Sequence, residues 1–272
     1  MSQTVVVTGA NSGIGRATAI HLASHGYRVI GTVRSLSKTT KANSMASDAG
    51  VSLEWVELDV ADDESVRAGF DRIHSIVDHV DVLVNNAGVG GNAVIEECPP
   101  SLYQEVMNIN LCGPVRCAQA VLPSMRARRA GTIVNVSSVV GRFAALAQAP
   151  YVASTWALEA MSEGLAQELA PWNIRVAIVE PGITKSAIFA KNVDAPNSSG
   201  AYDMHYRRLF QFYAAGMVNA TDPFEVGAIV QHAIETDTPR LRYPVSWGGP
   251  EILGRRETMS DAEWIALGAL ES

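Results

Sequence analysis

The chain has 272 residues, 47% hydrophobic and 18% charged, which is enough for a sizeable core and suits one large α/β domain better than two small ones. A formal net charge of -7 with scattered basic residues argues against a non-specific nucleic-acid binder. Cys98, Cys112 and Cys117 are an odd number without metal-ligand spacing, so the sequence predicts no disulfide framework, no metal site and a reducing compartment.

Met1 is followed closely by an apolar strand, leaving no room for a signal peptide, and no apolar run approaches the ~20 residues that span a bilayer. A soluble, cytoplasmic protein is expected. Val5, Val6 and Val7 form a β-branched run suited to a strand buried on both faces. Gly9, Gly13 and Gly15 follow, and Ile14, Ala17, Ile20, His21 and Leu22 fit a helical stripe. A Gly-rich turn between strand and helix lets backbone N–H groups approach a pyrophosphate at the positive end of the helix dipole. A dinucleotide is the natural ligand, although G-x-x-x-G-x-G differs from the G-x-G-x-x-G fingerprint.

Arg28 to Val33 reads as the second strand. A carboxylate near its end would hold a ribose 2′-OH, whereas a 2′-phosphate calls for a cation. Thr32 and Val33 are uncharged and Arg34 follows, which points to NADP, with Ser12 as a second phosphate ligand. Arg34 as an ordinary solvated arginine is the competing reading. A third strand is expected from Val51 to Leu58, ending at Asp59-Val60, and then a helix with carboxylates at its start and Val66, Phe70, Ile73 and Val77 along one face.

Asp81 to Val84 predicts a fourth strand, with the polar turn Asn85-Asn86-Ala87-Gly88 after it. A long helical stretch runs from about Pro100 to Arg129, its final Arg126, Arg128 and Arg129 complementing the dipole. Thr132 to Val136 is a fifth strand, a helix from near Pro150 carries Tyr151, and Ile174 to Val179 is a sixth strand leading into Glu180-Pro181-Gly182. Strands alternating with helices predict a Rossmann-type, doubly wound parallel sheet in a single domain, 1-272.

Residues 186–220 are rich in Phe and Tyr, at 189, 202, 206, 210, 212 and 213, after the loop Asn192 to Gly200. Tyr202, Tyr206, Leu209 and Tyr213 share one helical face, read either as core or as a flap over an apolar substrate. Asp222 to Glu225 looks like a capped helix start, Arg242 to Val245 a last strand, and Ser260 to Glu263 the opening of a terminal helix anchored by Trp247, Trp264 and Ile265. His21 and His25 share a metal-pair spacing without a third ligand and fit a solvated helix face better.

The strings T-G-A-N-S-G-I-G, N-N-A-G and Y-V-A-S-T-W-A-L-E-A, from residue 4 to about 190, resemble the short-chain dehydrogenase/reductase family. The Arg34 segment and R-Y-P-V at 242–245 resemble its hydroxysteroid and retinol dehydrogenases. The resemblance implies hydride transfer between NADP and a secondary alcohol or ketone, with an apolar substrate. It places Gly9, Ser12, Gly13, Ile14, Gly15 and Arg34 at the cofactor phosphates, and Asp59 and Val60 at the adenine. It puts Asn86, Ala87 and Gly88 beside the ribose, and Pro181, Gly182, Ile183 and Ser186 around the nicotinamide. Asn110, Ser138 and Tyr151 take the catalytic positions, Tyr151 exchanging the proton and Ser138 holding the substrate oxygen. It also implies a homodimer or homotetramer built on helices near 101–129 and 151–170.

Position 155 departs from the family's Y-x-x-x-K, carrying Thr155 where the family has a lysine four residues after the tyrosine, on the same helix face. A hydroxyl has no charge with which to stabilise phenolate, and at a pKa near 10 only ~0.1% of a tyrosine is ionised at pH 7. Lys185, in the loop after Pro181-Gly182, is a cation that could substitute for that lysine in space. Thr155 therefore keeps two further readings open: a non-catalytic dinucleotide-binding or sensor protein, and an altered, inactive form of an active enzyme.

Overall fold

Seven strands, β1 (Thr4–Val7), β2 (Arg28–Val33), β3 (Glu54–Glu57), β4 (Val82–Asn85), β5 (Gly131–Val136), β6 (Ile174–Pro181) and β7 (Arg242–Val245), lie parallel in one sheet in the order β3-β2-β1-β4-β5-β6-β7. The computed structural model describes residues 2–186 and 195–268. Between and after the strands come α1 (Gly13–Ser24), α2 (Thr40–Asp48), α3 (Asp63–His74), α4 (Pro100–Met107), α5 (Gly113–Arg128), α6 (Ala149–Leu169), α7 (Asp203–Val218), α8 (Pro223–Glu235), α9 (Gly249–Thr258) and α10 (Asp261–Ala266). The architecture is the Rossmann-type single-domain α/β fold expected from the alternation of elements.

Side chains alternate across a strand, so the valine run of β1 serves both layers. Val6 joins Ile30, Leu83 and Ile133 under Phe70 and Ile73 of α3, Val121 and Met125 of α5, and Leu169 of α6. Val5 and Val7 join Val134 and Val179 under Ala19 and Leu22 of α1 and Val226 and Val230 of α8. Each such fully buried side chain is worth ~1.5–3 kcal/mol relative to exposure. This two-sided core fixes the strand ends that carry the polar loops.

Several local expectations need correction. β3 is shorter than Val51 to Leu58 because the Val51 N–H is still tied to the Ala46 carbonyl at the end of α2, at 2.9 Å, and pairing with β2 begins at Glu54. The helix expected over 100–129 is interrupted by a π-helical turn at Asn108–Cys112; Pro114 has no N–H to give the Asn110 carbonyl. Asp222 caps α8 through the Phe224 N–H at 2.9 Å, one residue short of a box with Glu225, whereas Ser260 and Glu263 do make a reciprocal capping box.

The tail is anchored by Trp264 against Phe143, ring centroids 5.4 Å apart; Ile265, expected beside it as an anchor, is 73% exposed. Arg128 pairs with Asp81 at 3.1 Å, and Arg126 and Arg129 lie over the Trp172 ring. His21 is half-buried and its Nε2 meets Gln231 Oε1 at 2.6 Å across α1 and α8, so it is a packing residue, and only His25 is exposed. Among the described residues no cluster of three metal-ligating side chains occurs, and no helix is long and apolar enough to cross a membrane. All three cysteines are free.

Candidate active site

The chain order reverses between β1 and β4, and the crevice outside the carboxyl ends of those strands is where an open α/β sheet binds ligands. Thr8, at the end of β1, ties the two loops together. Its Oγ1 accepts from the N–H groups of Asn86 and Ala87 at 2.9 and 3.0 Å, and its carbonyl accepts from Asn86 Nδ2 at 2.9 Å. Gly9 and Gly13 have φ of 65° and 53°, the left-handed region that a side chain resists. Ser12 makes no side-chain bond to the first turn of α1, and no acid sits there, so the helix end keeps its positive character toward an anion. This is a cradle that fits a pyrophosphate.

A cleft of about 1680 Å³ opens along these strand ends, lined by Gly9, Ser12, Gly13, Ile14, Arg34, Asp59, Val60, Asn86, Ala87 and Gly88 on one side and by Asn110, Ser138, Tyr151, Thr155, Pro181, Gly182, Ile183 and Ser186 on the other. Gly15 is placed differently. It is absent from the lining, and a Cβ there would lie 2.3 Å from Asn86 Nδ2 and 2.6 Å from the Gly9 carbonyl, so it serves the packing of the helix against the loop. Asp59 Oδ1 accepts from the Ala61 N–H at 3.0 Å. Lys38, which sequence reasoning missed, lines the cleft together with Arg34; its position one short helical turn on, at Leu36–Lys38, is the signal that would have found it.

On the far wall, Asn110 occupies the π-helical turn, where it is buried. Its Oδ1 accepts from the Val89 N–H, and its Nδ2 donates to the Val89 carbonyl and to Ser154 Oγ, each at 2.9 Å. Ser154 Oγ in turn donates to the Tyr151 carbonyl at 2.8 Å. Asn110 thus braces α6 at the turn that bears Tyr151. The Ser138 hydroxyl beside the Tyr151 phenol pulls its pKa down, but burial dominates and the phenol stands above its ordinary range. The Ser138 hydroxyl donates to the Pro181 carbonyl at 3.4 Å.

Thr155 is 3% exposed. Its hydroxyl turns back along α6 to the carbonyls of Tyr151 and Val152, at 3.2 and 3.0 Å, the usual habit of threonine inside a helix. Lys185 is exposed and does not line the cleft. Neither residue places a cation at the phenol.

Glu180, the residue before Pro181, is fully buried. Burial and the neighbouring Glu159 carboxylate push it up to about 7, against the opposing pull of Arg142 and Arg242. Arg142 stands at 3.4 Å and Arg242 at 3.8 Å from Glu180 Oε1, and Arg242 meets Glu159 Oε2 at 2.9 Å. One oxygen of each carboxylate, Glu180 Oε2 and Glu159 Oε1, is buried without a hydrogen-bond partner. Burying carboxylates so incompletely partnered is costly.

The aromatic face of α7 packs as core and also borders the cleft. Tyr206 and Leu209 pack with Val94 and Ala147, with Tyr202 and Tyr213 against them, while Tyr202, Leu209, Phe212 and Tyr213 line the cleft. Phe189 and residues 192–194 of the expected loop lie outside the described residues.

The comparisons with known proteins agree with this geometry. A family model described as short chain dehydrogenase matches residues 3–197. The chain is 33% identical to the uncharacterized oxidoreductase YusZ of Bacillus subtilis (strain 168), over 96% of this chain and 95% of that one. It is 34% identical to 17-beta-hydroxysteroid dehydrogenase type 1 of Homo sapiens, over 89% of this chain and 77% of that one. Among solved structures, a short-chain dehydrogenase from Streptomyces avermitilis superposes with a TM-score of 0.84 at 31% identity, covering 100% and 99% of the two chains. Actinorhodin polyketide ketoreductase with NADPH gives 0.74 at 29% identity, covering 86% and 90%. With the Gly-rich cradle, the Asn86 loop and the Ser138–Tyr151 pair on one cleft, the chain belongs to the short-chain dehydrogenase/reductase family of nicotinamide-dependent oxidoreductases.

Proposed function

We propose that this protein is an NADPH-dependent oxidoreductase that interconverts a secondary alcohol and a ketone, and that its residues suit ketone reduction best. The observation carrying the reading is the Tyr151 phenol beside Ser138 at the cleft wall, raised by burial and with no ammonium among the described residues beside it. A carbonyl gaining hydride needs a proton at its oxygen from a positioned acid. Tyr151 supplies that proton, and Ser138 holds the same oxygen. A raised pKa keeps the phenol protonated, so Tyr151 starts in the form reduction requires. Asn110, through Ser154, keeps the turn of α6 in place.

The α1 end would hold the pyrophosphate, Asp59 and Val60 the adenine, and the Asn86 loop the ribose; Pro181, Gly182, Ile183 and Ser186 would flank the nicotinamide. Arg34 and Lys38 would hold a 2′-phosphate with Ser12, which favours NADP over NAD. The nicotinamide supplies the hydride when bound. The face of α7 acts as a cover over an apolar substrate, within a flap at about 186–220 of the single domain. The half-exposed Trp156 on α6 supports a homodimer through α5 and α6, which light scattering distinguishes from a 29.0 kDa monomer.

Thr155 favours one second reading, a dinucleotide-binding protein without turnover. Assaying NADPH oxidation over a panel of ketones separates the two. Turnover that disappears in Tyr151→Phe supports the reductase, and tight NADPH binding with no turnover of any ketone supports the second.

A further inference from the structure

We propose that Glu180 selects between the two states of the dinucleotide: uncharged it favours NADPH, and as a carboxylate it favours the cationic ring of NADP⁺. The inference rests on the reading of Pro181, Gly182, Ile183 and Ser186 as the nicotinamide wall. Glu180 is the last residue before that wall, and it is fully buried. It stands opposite Pro244 in the register of β6 and β7. The Gly182 N–H donates to the Val245 carbonyl at 2.8 Å, and the Ile183 N–H donates to the Trp247 carbonyl at 3.2 Å. A Cβ on Gly182 would lie 2.5 Å from the Trp247 carbonyl oxygen. The backbone here has little room to move, so a charge on Glu180 stays behind the wall.

The charged groups that face it come from several elements. From the turn after β5, Arg142 reaches Glu180 Oε1 at 3.4 Å and the exposed Glu257 of α9 at 3.1 Å. From β7, Arg242 stands 3.8 Å from the same oxygen and meets Glu159 and Glu163 of α6 at 2.9 and 2.8 Å. Two guanidinium groups thus serve more carboxylates than they can neutralise, and each makes its shorter contacts elsewhere than at Glu180. Among the described residues, Glu180 Oε2 has no hydrogen-bond partner. The cluster is closely packed, a Cβ on Gly141 meeting Glu159 Cγ at 2.8 Å and Ser137 Oγ at 3.1 Å. Glu180 is therefore the member that takes a proton, and burial together with the Glu159 carboxylate holds it at about 7. Tyr151, the titratable group of α6 on the cleft side, is raised by burial and keeps its proton over the same range.

None of these carboxylates and guanidinium groups lines the cleft, so Glu180 acts on a ligand through its field. In a closely packed interior that field is weakly screened. The two dinucleotide states share their phosphates, adenine and ribose, and they differ by a positive charge on the oxidised ring. A carboxylate behind the wall attracts that charge and gives the neutral reduced ring nothing. Thr155 carries no charge and Lys185 does not line the cleft, so neither of them counters it. Because the coupling is reciprocal, NADP⁺ should drive the proton off Glu180 and NADPH should leave it in place. Below neutrality the cluster thus favours the form of the dinucleotide that ketone reduction consumes.

The test is calorimetric titration with NADPH and with NADP⁺ across pH, read as the ratio of the two Kd values, in which the titration of the shared phosphates cancels. For wild type, the preference for NADPH over NADP⁺ should fall about tenfold between pH ~6 and pH ~9, the scale of one added charge pair at an effective dielectric between protein and water. Glu180→Gln, with nearly the same shape and no charge to gain, should hold the ratio constant over that range. Glu159→Gln removes the repelling carboxylate and should move the change to lower pH. A wild-type ratio that does not vary with pH overturns the proposal, as does a change that persists in Glu180→Gln or keeps its midpoint in Glu159→Gln. Ile183→Ala separates this failure from that of the wall. Unchanged affinities for both dinucleotides in that variant would remove the nicotinamide wall and the proposal with it, whereas altered affinities beside a pH-independent wild-type ratio would overturn the role of Glu180 alone.

Discussion

On the β1–β4 side of the cleft the ligand-facing surface is mostly backbone: two left-handed glycines, an uncapped helix start, and a loop pinned by Thr8. On the β5–β6 side it is mostly side chains that arrive from far apart in the sequence, as when Tyr213 meets Asn92. A surface made of backbone tolerates few substitutions but needs few specific partners. A surface made of side chains can change one member, as at position 155, and keep its shape while its chemistry shifts. The first region is therefore suited to holding a constant ligand, and the second to setting what is done with it.

Breaking the backbone side should cost most. Gly15→Ala puts a methyl 2.3 Å from Asn86 Nδ2 and 2.6 Å from a backbone carbonyl, overpacking worth ~3 kcal/mol or more. Thermal or urea unfolding should show a loss of that size, accompanied by loss of dinucleotide binding. An unchanged midpoint would mean that the close approach of α1 to the Asn86 loop is not tight.

On the side-chain half, the largest expected effect is electrostatic. Glu180 is held at about 7 in the folded protein, above its ordinary 4.5. The folded state therefore binds this proton more tightly than the unfolded state. The stability linked to it is fully present below pH ~4.5 and is lost as pH rises through about 7, a change of up to ~3 kcal/mol. Glu180→Gln should flatten the fall in melting temperature between pH ~5 and ~8. Parallel curves for the two proteins would show that Arg142 and Arg242 already neutralise the carboxylate.

A smaller effect sharpens the comparison at the rim, where the constant ligand meets exposed side chains. Arg34→Asp should weaken NADPH binding relative to NADH by about tenfold, ~1.4 kcal/mol, with Lys38 retaining part of the preference. Calorimetric titration with both dinucleotides reads this directly. A preference untouched by the substitution would assign Arg34 to solvent.

The same division explains what could be read from the sequence. The Gly-rich turn, the Asn86 loop and the valine run of β1 are contiguous strings whose local conformation is the functional feature, and they were legible. Ser138 and Tyr151 could be singled out because their spacing and the string Y-V-A-S-T-W-A-L-E-A resemble the family's pattern. The Asn92–Tyr213 contact and the Glu159–Glu180–Arg142–Arg242 cluster join residues that no periodicity connects. The start of β3 was misread because Val51 to Leu53 are apolar enough for a strand while α2 still holds Val51, and the π-helical turn was missed because it depends on one absent N–H at Pro114. The direction of the Thr155 hydroxyl was likewise invisible, being a choice between a cleft and two carbonyls of its own helix.

The central claim is that Tyr151 carries the proton without a cation among the described residues to lower its pKa, and the pH–rate profile of alcohol oxidation by wild type and Thr155→Lys tests it most directly. Bringing a phenol from pKa ~10 to ~7 takes about 4 kcal/mol of differential stabilisation, which an ammonium can supply and a hydroxyl cannot. The wild-type rate should keep climbing to pH ~10, and the lysine variant should level off near neutrality with a rate at pH ~7 raised by roughly two orders of magnitude. Superimposable profiles for the two proteins would contradict the account.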